Sequence, residues 1–225
     1  SIVNNCIFLN NAAITDGGAV TWLATNGILT ESTFTSNTAT MEGSAIWWYG
    51  ANGTLSKCIF NDNIANRHGG AIHWEGANGT LINSTFTDNM AKQNGGAILW
   101  RGANGTLINS TFTSNTANVN GGAIYWDGTN SNISNCNFKD NYALYGDNVY
   151  WIWTVEDFLN KYTHINDYDY VWIRNGVGTP SHTIVLNKKG VTISGQSTNV
   201  IFDAKGGNLH FEVTGDNVLI ENLSF

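Results

Sequence analysis

The segment GGAIHWEGANGTLINSTFTDNMAKQN, residues 69–94, is followed directly by the closely similar GGAILWRGANGTLINSTFTSNTANVN, residues 95–120. Each segment is 26 residues long, and this interval separates aromatic residues over the first two-thirds of the chain. The series consists of Phe8, Phe34, Phe60, Phe86, Phe112 and Phe138, and of Trp22, Trp48, Trp74, Trp100 and Trp126, with Trp151 one residue early. A repeat of about 20 to 50 residues predicts a solenoid, a propeller or an array.

The composition of each repeat favours strands over helices. Every repeat holds several glycines, and a glycine inside a helix costs about 1 kcal/mol. In GGAILWRG, Ile98 and Trp100 alternate with Leu99 and Arg101, which is the period-two pattern of a strand. A propeller blade needs about 40 residues or more, so a 26-residue repeat is too short for one. We therefore predict an all-β fold, a parallel β-helix with about 26 residues per coil and one short helical or irregular interruption.

Aligning the repeats separates inward from outward positions. Because neighbouring coils lie about 4.8 Å apart, equivalent side chains are predicted to stack along the axis. The apolar columns predicted to face inward, besides the Trp and Phe columns, are Val20, Ile46, Ile72, Ile98 and Ile124; Leu29, Leu55, Leu81, Leu107 and Ile133; and Ala13, Ala39, Ala65, Ala91, Ala117 and Ala143. Asparagines three residues after each Phe are predicted to hydrogen-bond from coil to coil. Paired glycines are predicted to permit either a corner with positive φ or a close backbone approach between coils.

The charge and the cysteines restrict the protein class. A net charge of −7 with 12% charged residues argues against nucleic acid, which requires a basic stripe. No apolar run approaches the roughly 18 residues of a membrane span. Cys6 and Cys58 occupy one column two coils apart, at roughly 10 Å, beyond the reach of about 7 Å for a disulfide. With Cys136 in the same column, we predict free thiols that fill the core.

Seven Asn-x-Ser/Thr sequons are candidate glycosylation sites, which is compatible with an exported protein. The alternative is that an Asn/Ser/Thr-rich repeat produces sequons by chance. The seven asparagines are Asn52, Asn78, Asn83, Asn104, Asn109, Asn132 and Asn222.

The pairing of GGAI with FxxN resembles the repeats of the polymorphic outer-membrane protein family and of adhesin-like surface proteins of methanogenic archaea. The motifs are GGAI at Gly69–Ile72, Gly95–Ile98 and Gly121–Ile124, with FTDN at Phe86–Asn89 and FTSN at Phe112–Asn115 among the second set. The resemblance covers residues 1–151 and about 183–225. It implies a right-handed β-helix at the cell surface, used in adhesion or surface architecture, and it transfers no binding residue.

The periodicity divides the chain into three parts. Residues 1–153 are predicted to form about six coils, 154–182 a short helix with an irregular insertion or cap, and 183–225 further coils. Within TVEDFLNKY, Thr154 is predicted as N-cap, followed by an amphipathic helix. We favour two separate stacks with the helix covering the end of the second, over one stack with an excursion. The chain opens and closes in mid-coil, as expected of a segment of something longer, and Phe225 in register with Phe8 suggests end-to-end stacking of copies into a fibre.

Candidate chemistry is sparse. Glu75, Arg101 and Asp127 are predicted to form a surface charge ladder, and the histidines of the repeats are too isolated for a metal site. The ionisable residues of the interruption match no catalytic or metal signature; they are His164, Asp167, Asp169, Arg174 and His182. We therefore predict no cofactor, no metal and no enzymatic activity, with a polysaccharide-degrading enzyme as the alternative.

Binding is the more plausible use of the outward columns. Aromatic side chains in a row on a flat sheet suit the stacking of sugar rings or the docking of a protein. The candidate binding residues are Trp47, Tyr49, His73 and Tyr125. The predicted partner is a glycan or protein surface of another cell, and the predicted location is extracellular.

Overall fold

The computed structural model describes residues 1–180, 183–203 and 211–224. In this part of the chain, strands of successive coils pair in parallel and build a β-helix. Phe60 pairs with Phe34 on one side and with Phe86 on the other, which confirms the coil length of 26 residues. The prediction about Phe225 falls outside the described residues.

Four sheets run along the axis; three are named here by their inward column, and the nine-stranded fourth is called the long sheet. The Leu sheet comprises Ile2–Asn4, Ile28–Thr30, Thr54–Ser56, Thr80–Ile82, Thr106–Ile108 and Asn132–Ser134. The Phe sheet comprises Ile7–Leu9, Thr33–Thr35, Ile59–Asn61, Thr85–Thr87, Thr111–Thr113 and Asn137–Lys139. The Ala sheet comprises Ala12–Ala13, Thr38–Ala39, Ile64–Ala65, Met90–Ala91 and Thr116–Ala117. The long sheet comprises Val20–Trp22, Ile46–Trp48, Ile72–Trp74, Ile98–Trp100, Ile124–Trp126, Val149–Trp153, Tyr170–Ile173, Thr192–Gly195 and Leu219–Glu221.

The core consists of the stacked aromatic columns predicted from the sequence. The rings of Trp74 and Trp100 lie 4.6 Å apart and nearly parallel, and the rings of Phe60 and Phe86 lie 4.7 Å apart. All four side chains are fully buried. Each aromatic pair contributes about 0.5–1.5 kcal/mol beyond the burial of its area. The inward orientation of both columns is confirmed.

The asparagine column forms the predicted ladder. Asn89 Oδ1 accepts bonds from the backbone N and from Nδ2 of Asn63, at 3.1 and 2.9 Å. Asn89 Nδ2 donates to the carbonyl of Phe60 and to Asn115 Oδ1, both at 2.9 Å. The ladder runs from Asn11 to Asn141. Each buried amide is therefore satisfied, which is the condition for a polar group to lie inside the coil.

The corners of each coil depend on residues with left-handed backbone. Gly69 and Gly95 have φ of +60° and +68°, as the glycine pairs predicted. Three further corners per coil hold non-glycine residues, such as Asn78, Asn83 and Asp88, with φ between 52° and 56°. Asparagine and aspartate tolerate this region better than most residues. Much of the asparagine content therefore follows from backbone geometry, which the repeat pattern alone did not predict.

The three cysteines are free thiols, as predicted. Cys58 is buried, while Cys6 and Cys136 are half-buried. The backbone N of Cys58 donates to Ser84 Oγ at 3.1 Å, so thiols and hydroxyls share one column.

The interruption contains the predicted helix, Val155–Lys161, continued by a 3₁₀ turn at Tyr162–His164. Thr154 is its N-cap, and Thr154 and Asp157 form a reciprocal capping box. In the sequence, the helix comes after the last strands of the Leu and Phe sheets and directly after the strand Val149–Trp153 of the long sheet. Phe158 is fully buried and packs on Trp153, with ring centroids 6.4 Å apart, and on Phe202, at 5.6 Å.

The favoured interpretation of two separate stacks is wrong, because the long sheet continues past the helix. Trp126 pairs with Trp151, Trp151 with Val171, Val171 with Ile193, and Ile193 with Ile220. The coils therefore shorten to 25, 20 and 22 residues and then lengthen to 27. On the other sides of the β-helix, beyond the ends of the Leu, Phe and Ala sheets, two small pairs of parallel strands form. They are Gly176–Gly178 with Val200–Phe202 and Ile184–Leu186 with Phe211–Val213. The segment 154–182 thus contains a coil of the same stack, including the strand Tyr170–Ile173.

Candidate functional site

The outer face of the long sheet presents two rows of side chains, because alternate residues of each strand point outward. The first row contains Thr21, Trp47, His73, Leu99, Tyr125, Tyr150, Tyr170, Thr192 and Leu219. The second row contains Leu23, Tyr49, Glu75, Arg101, Asp127, Ile152, Trp172, Ser194 and Glu221. We refer to both rows together as the outer face.

The four predicted binding residues lie on this face but differ in access to solvent. Tyr49 is 58% exposed, and Trp47 and Tyr125 are half-buried. Trp47 and Tyr49 contact each other, with ring centroids 5.9 Å apart. His73 is only 1% exposed. The prediction of an open row was wrong at His73, because acidic side chains cover its ring.

His73 lies between two carboxylates. Its Nδ1 contacts Glu42 of the preceding coil, and its Nε2 lies 2.8 Å from Glu75 Oε1. Both contacts are ion pairs when His73 is protonated. Arg101 extends the network, with one guanidinium nitrogen 3.3 Å from Glu75 Oε1. His68 lies 4.0 Å from Glu42.

The network shifts the ionisation of each member. Burial opposes protonation of His73, but the contacts with Glu42 and Glu75 outweigh it and raise the pKa of His73 above its ordinary 6.5. The contact with His73 lowers the pKa of Glu42 and of Glu75. Burial lowers the pKa of His68. The arrangement therefore favours the protonated form of His73 between the two carboxylates.

A stack of tyrosines continues the first row. Tyr125 and Tyr150 lie 5.3 Å apart, and Tyr150 and Tyr170 lie 4.8 Å apart, with rings within 8° of parallel. Stacked rings cover each other's faces, so the stack presents ring edges and hydroxyl groups outward. Burial raises the pKa of Tyr125 and of Tyr150, which keeps both phenols neutral. The hydroxyls can therefore both donate and accept hydrogen bonds.

The predicted charge ladder is confirmed in part. Glu75 pairs with Arg101, as expected. Asp127 instead accepts a bond of 2.8 Å from Arg174, which follows the strand Tyr170–Ile173. This pair links the last regular coil to the shortened coils.

Beside the shortened coils lies an open groove of about 490 Å³, here called the tyrosine groove. Four of its lining residues are Tyr142, Tyr145, Tyr168 and Tyr170, and the lining also includes Leu144, Leu219, Asp147 and Glu221. Tyr145 and Tyr170 meet edge to face at 5.6 Å. The repeat pattern did not predict this groove, because its lining residues come from different coils. The tyrosines clustered between residues 142 and 170 were the available signal.

The ionisable residues of the interruption serve structural roles where they are described. Asp169 is buried and accepts bonds from the backbone N of Val149 and Asn166 and from Trp151 Nε1. Burial raises the pKa of Asp169 to about 7, while these hydrogen bonds act in the opposite sense. Asp167 accepts a bond from the backbone N of Lys189.

The other predicted candidates of the interruption that are described do not form a site. His164 is exposed, Arg174 pairs with Asp127, and His182 lies outside the described residues. Within residues 1–180, 183–203 and 211–224, no group of three or more His, Cys, Asp or Glu side chains is placed to hold a metal ion.

The sequon asparagines are all exposed. Asn78 Nδ2 donates to Asn52 Oδ1, and Asn104 Nδ2 donates to Asn78 Oδ1, both at 2.9 Å, in an exposed ladder. Asn83 and Asn109 occupy left-handed corners. Backbone geometry thus accounts for the asparagine at most sequons, whether or not they carry glycans.

Comparisons with known proteins identify the fold family alone. A family model described as a right-handed β-helix region matches residues 44–225, which agrees with the handedness that the repeat motifs implied. Searches of curated proteins and of solved structures found no match. Among the described residues, no helix has the length and hydropathy needed to cross a bilayer.

Proposed function

The chain belongs to the family of right-handed β-helix regions, and on this basis we propose that it is an extracellular, cell-surface β-helix segment of adhesin-like type. It binds a glycan or a protein surface of another cell through the outer face, without catalysis. The GGAI and FxxN motifs support this proposal through their resemblance to polymorphic outer-membrane and archaeal adhesin-like repeats.

One observation carries the proposal. Tyr125, Tyr150 and Tyr170 form a continuous aromatic stack on strands that are paired on both sides. Tyrosine offers a large contact area and a polar tip with few rotatable bonds, and it is enriched at recognition surfaces. A row fixed by the sheet loses little side-chain freedom when a ligand is bound.

The ionic groups of the outer face support binding over catalysis. Glu42 and Glu75 are engaged by His73, and Asp127 is engaged by Arg174. A general acid or base must be able to reach the proton that it transfers. A histidine that is 1% exposed is not accessible to a substrate in this arrangement.

Attachment of the purified chain to intact cells or to cell-wall material, followed by fluorescence, tests the proposal. The double variant Trp47→Ala with Tyr49→Ala and the single variant Tyr125→Ala should attach at least about tenfold more weakly, since aromatic anchors dominate interfaces. Thr87→Ala, on the outward side of the Phe sheet, is the matched control and should attach like wild type.

Two results would count against the proposal. Attachment unchanged in both aromatic variants would show that this face is not used. Release of shortened sugars from the bound material, detected by mass spectrometry, would contradict a non-catalytic role.

A further inference from the structure

The tyrosine groove exists because the coil changes length. The Ala sheet ends at Thr116–Ala117, and in the next coil Tyr142 forms only an isolated bridge with Thr116. In the loop beside the long sheet, Tyr145 occupies the position that Asn120 holds in the preceding coil. Tyrosines thus replace two small polar residues of the regular coils at the point where the Ala sheet ends.

Tyr168 occupies the groove at a conformational cost. Its φ is +61°, in the left-handed region that is unfavourable for a bulky side chain. In the described part of the chain, the other non-glycine residues with positive φ are Asn, Asp, Ser, Glu or Lys. The turn places the ring against Gly190, where a Cβ atom would lie 2.6 Å from Tyr168 Cδ1. Backbone strain of this kind persists where the surrounding structure imposes it, often at ligand sites.

The exposed rings give the groove an apolar surface. Tyr142, Tyr145 and Tyr168 are 63%, 45% and 41% exposed. Unlike the stacked Tyr150, these side chains are accessible to solvent. Shallow surfaces lined by tyrosines suit a ligand with a flat apolar face and polar edges.

The polar groups restrict the charge of the ligand. Asp147, Glu221 and the buried Asp169 line the groove, and no lysine or arginine among the described residues does. Lys189 lies over the Tyr168 ring, with Nζ 5.8 Å from its centroid, and is outside the lining. Carboxylates accept hydrogen bonds from hydroxyl or ammonium groups and repel anions.

We propose that the tyrosine groove is a binding site for a pyranose sugar without an acidic group, whose C–H face packs on the exposed tyrosines. Its hydroxyls, or an amino group, donate to Asp147 and Glu221. The inference rests on the proposed function, for the case in which the partner is a glycan. It places the sugar site at the shortened coils, away from Trp47 and Tyr49.

Calorimetric titration with cellotetraose, mannotetraose, chitotetraose (the unacetylated amino-sugar oligomer) and tetragalacturonic acid tests the proposal. Tyr145→Asn copies Asn120, and Tyr168→Asn introduces the residue type common at left-handed corners, so both variants are compatible with folding. Each should bind the preferred sugar at least about tenfold more weakly. Thr87→Ala, on the outward side of the Phe sheet, is the control and should bind this sugar like wild type.

The outcomes separate the two proposals. Binding of a non-acidic oligosaccharide that is lost in the groove variants supports the inference. Preference for tetragalacturonic acid, absence of sugar binding by wild type, or unchanged affinity in both groove variants would overturn it. If wild type still attaches to cells in any of those cases, the proposed function stands and only the groove assignment fails. If wild type does not attach at all, the proposed function itself fails.

Discussion

The regular coils, residues 1–141, and the later coils, residues 142–224, share the long sheet and little else. In the regular coils, four sheets and an asparagine ladder repeat every 26 residues. In the later coils, the long sheet continues, while a helix and two small strand pairs replace the other sides.

The comparison shows how a solenoid separates stability from recognition. Identical side chains stacked along the axis stabilise every coil through its neighbours. That regularity also leaves the surface uniform and without deep features. The tyrosine groove lies where the coil shortens, because the Ala sheet of the β-helix ends there and tyrosines line the space beyond it.

The largest expected effect is in the regular coils. Asn89→Ala removes the Oδ1 that accepts two hydrogen bonds from Asn63. It also removes the Nδ2 that donates to the carbonyl of Phe60 and to Asn115 Oδ1. Because these groups are buried, the free energy of unfolding should fall by about 3 kcal/mol. Urea unfolding followed by tryptophan fluorescence would measure the loss.

Asn78→Gly is the matched control, because Asn78 belongs to the exposed ladder, its partners are open to water, and glycine tolerates its φ of +56°. Its effect should be under about 1 kcal/mol. Equal losses in the two variants would contradict the role of burial in the comparison.

A smaller effect should come from His73, whose carboxylate partners are partly open to solvent. Its folded pKa is raised, so its contribution to stability is complete below the unfolded value of 6.5. The contribution is lost as the pH rises through the folded pKa. Glu42 and Glu75, with lowered pKa values, lose their contribution as the pH falls below 4.5. We expect wild-type stability to decline as the pH rises above 6.5.

His73→Leu copies Leu99, its equivalent in the next coil. The alkaline decline in unfolding free energy, measured in urea between about pH 6 and 9, should be weaker in this variant. His68, with a pKa lowered by burial, is present in both proteins. An identical pH profile in the two proteins would show that the network does not contribute through His73.

The sequence was sufficient for the regular coils because the 26-residue period places each residue over its equivalent. The columns of Phe60 and Trp74 were predicted in this way, as was the ladder through Asn89. The capping box at Thr154 could also be predicted, because a helix start depends on residues close together in the chain.

What could not be predicted depends on contacts between unequal coils. Burial of His73 requires Glu42, which lies 31 residues earlier, so the column alone suggested exposure. The tyrosine groove combines Tyr142 and Tyr168 with Leu219, whose relative positions depend on coil lengths of 25, 20, 22 and 27 residues. The continuity of the long sheet was missed because Tyr170–Ile173 follows an irregular spacing.

In the later coils, Tyr168→Asn should stabilise the protein by about 1 kcal/mol, because asparagine tolerates the left-handed backbone that strains tyrosine. Hydrogen exchange of residues 165–173 would detect slower opening. Asn104→Tyr places tyrosine at a regular corner with φ of +56° and should destabilise by a similar amount. If Tyr168→Asn is less stable than wild type, packing of the ring against Gly190 outweighs the backbone strain.

The smallest effect is expected at the helix, which belongs only to the later coils. Thr154→Ala removes the side chain that accepts a bond of 3.0 Å from the backbone N of Asp157. Loss of such a cap costs about 0.5–1 kcal/mol. Hydrogen exchange should therefore accelerate in Val155–Lys161 and remain unchanged in the regular coils. Thr25→Ala, in an exposed turn, is the control. Faster exchange in the regular coils of Thr154→Ala would show that the two regions unfold as one unit, in conflict with coil-by-coil stabilisation.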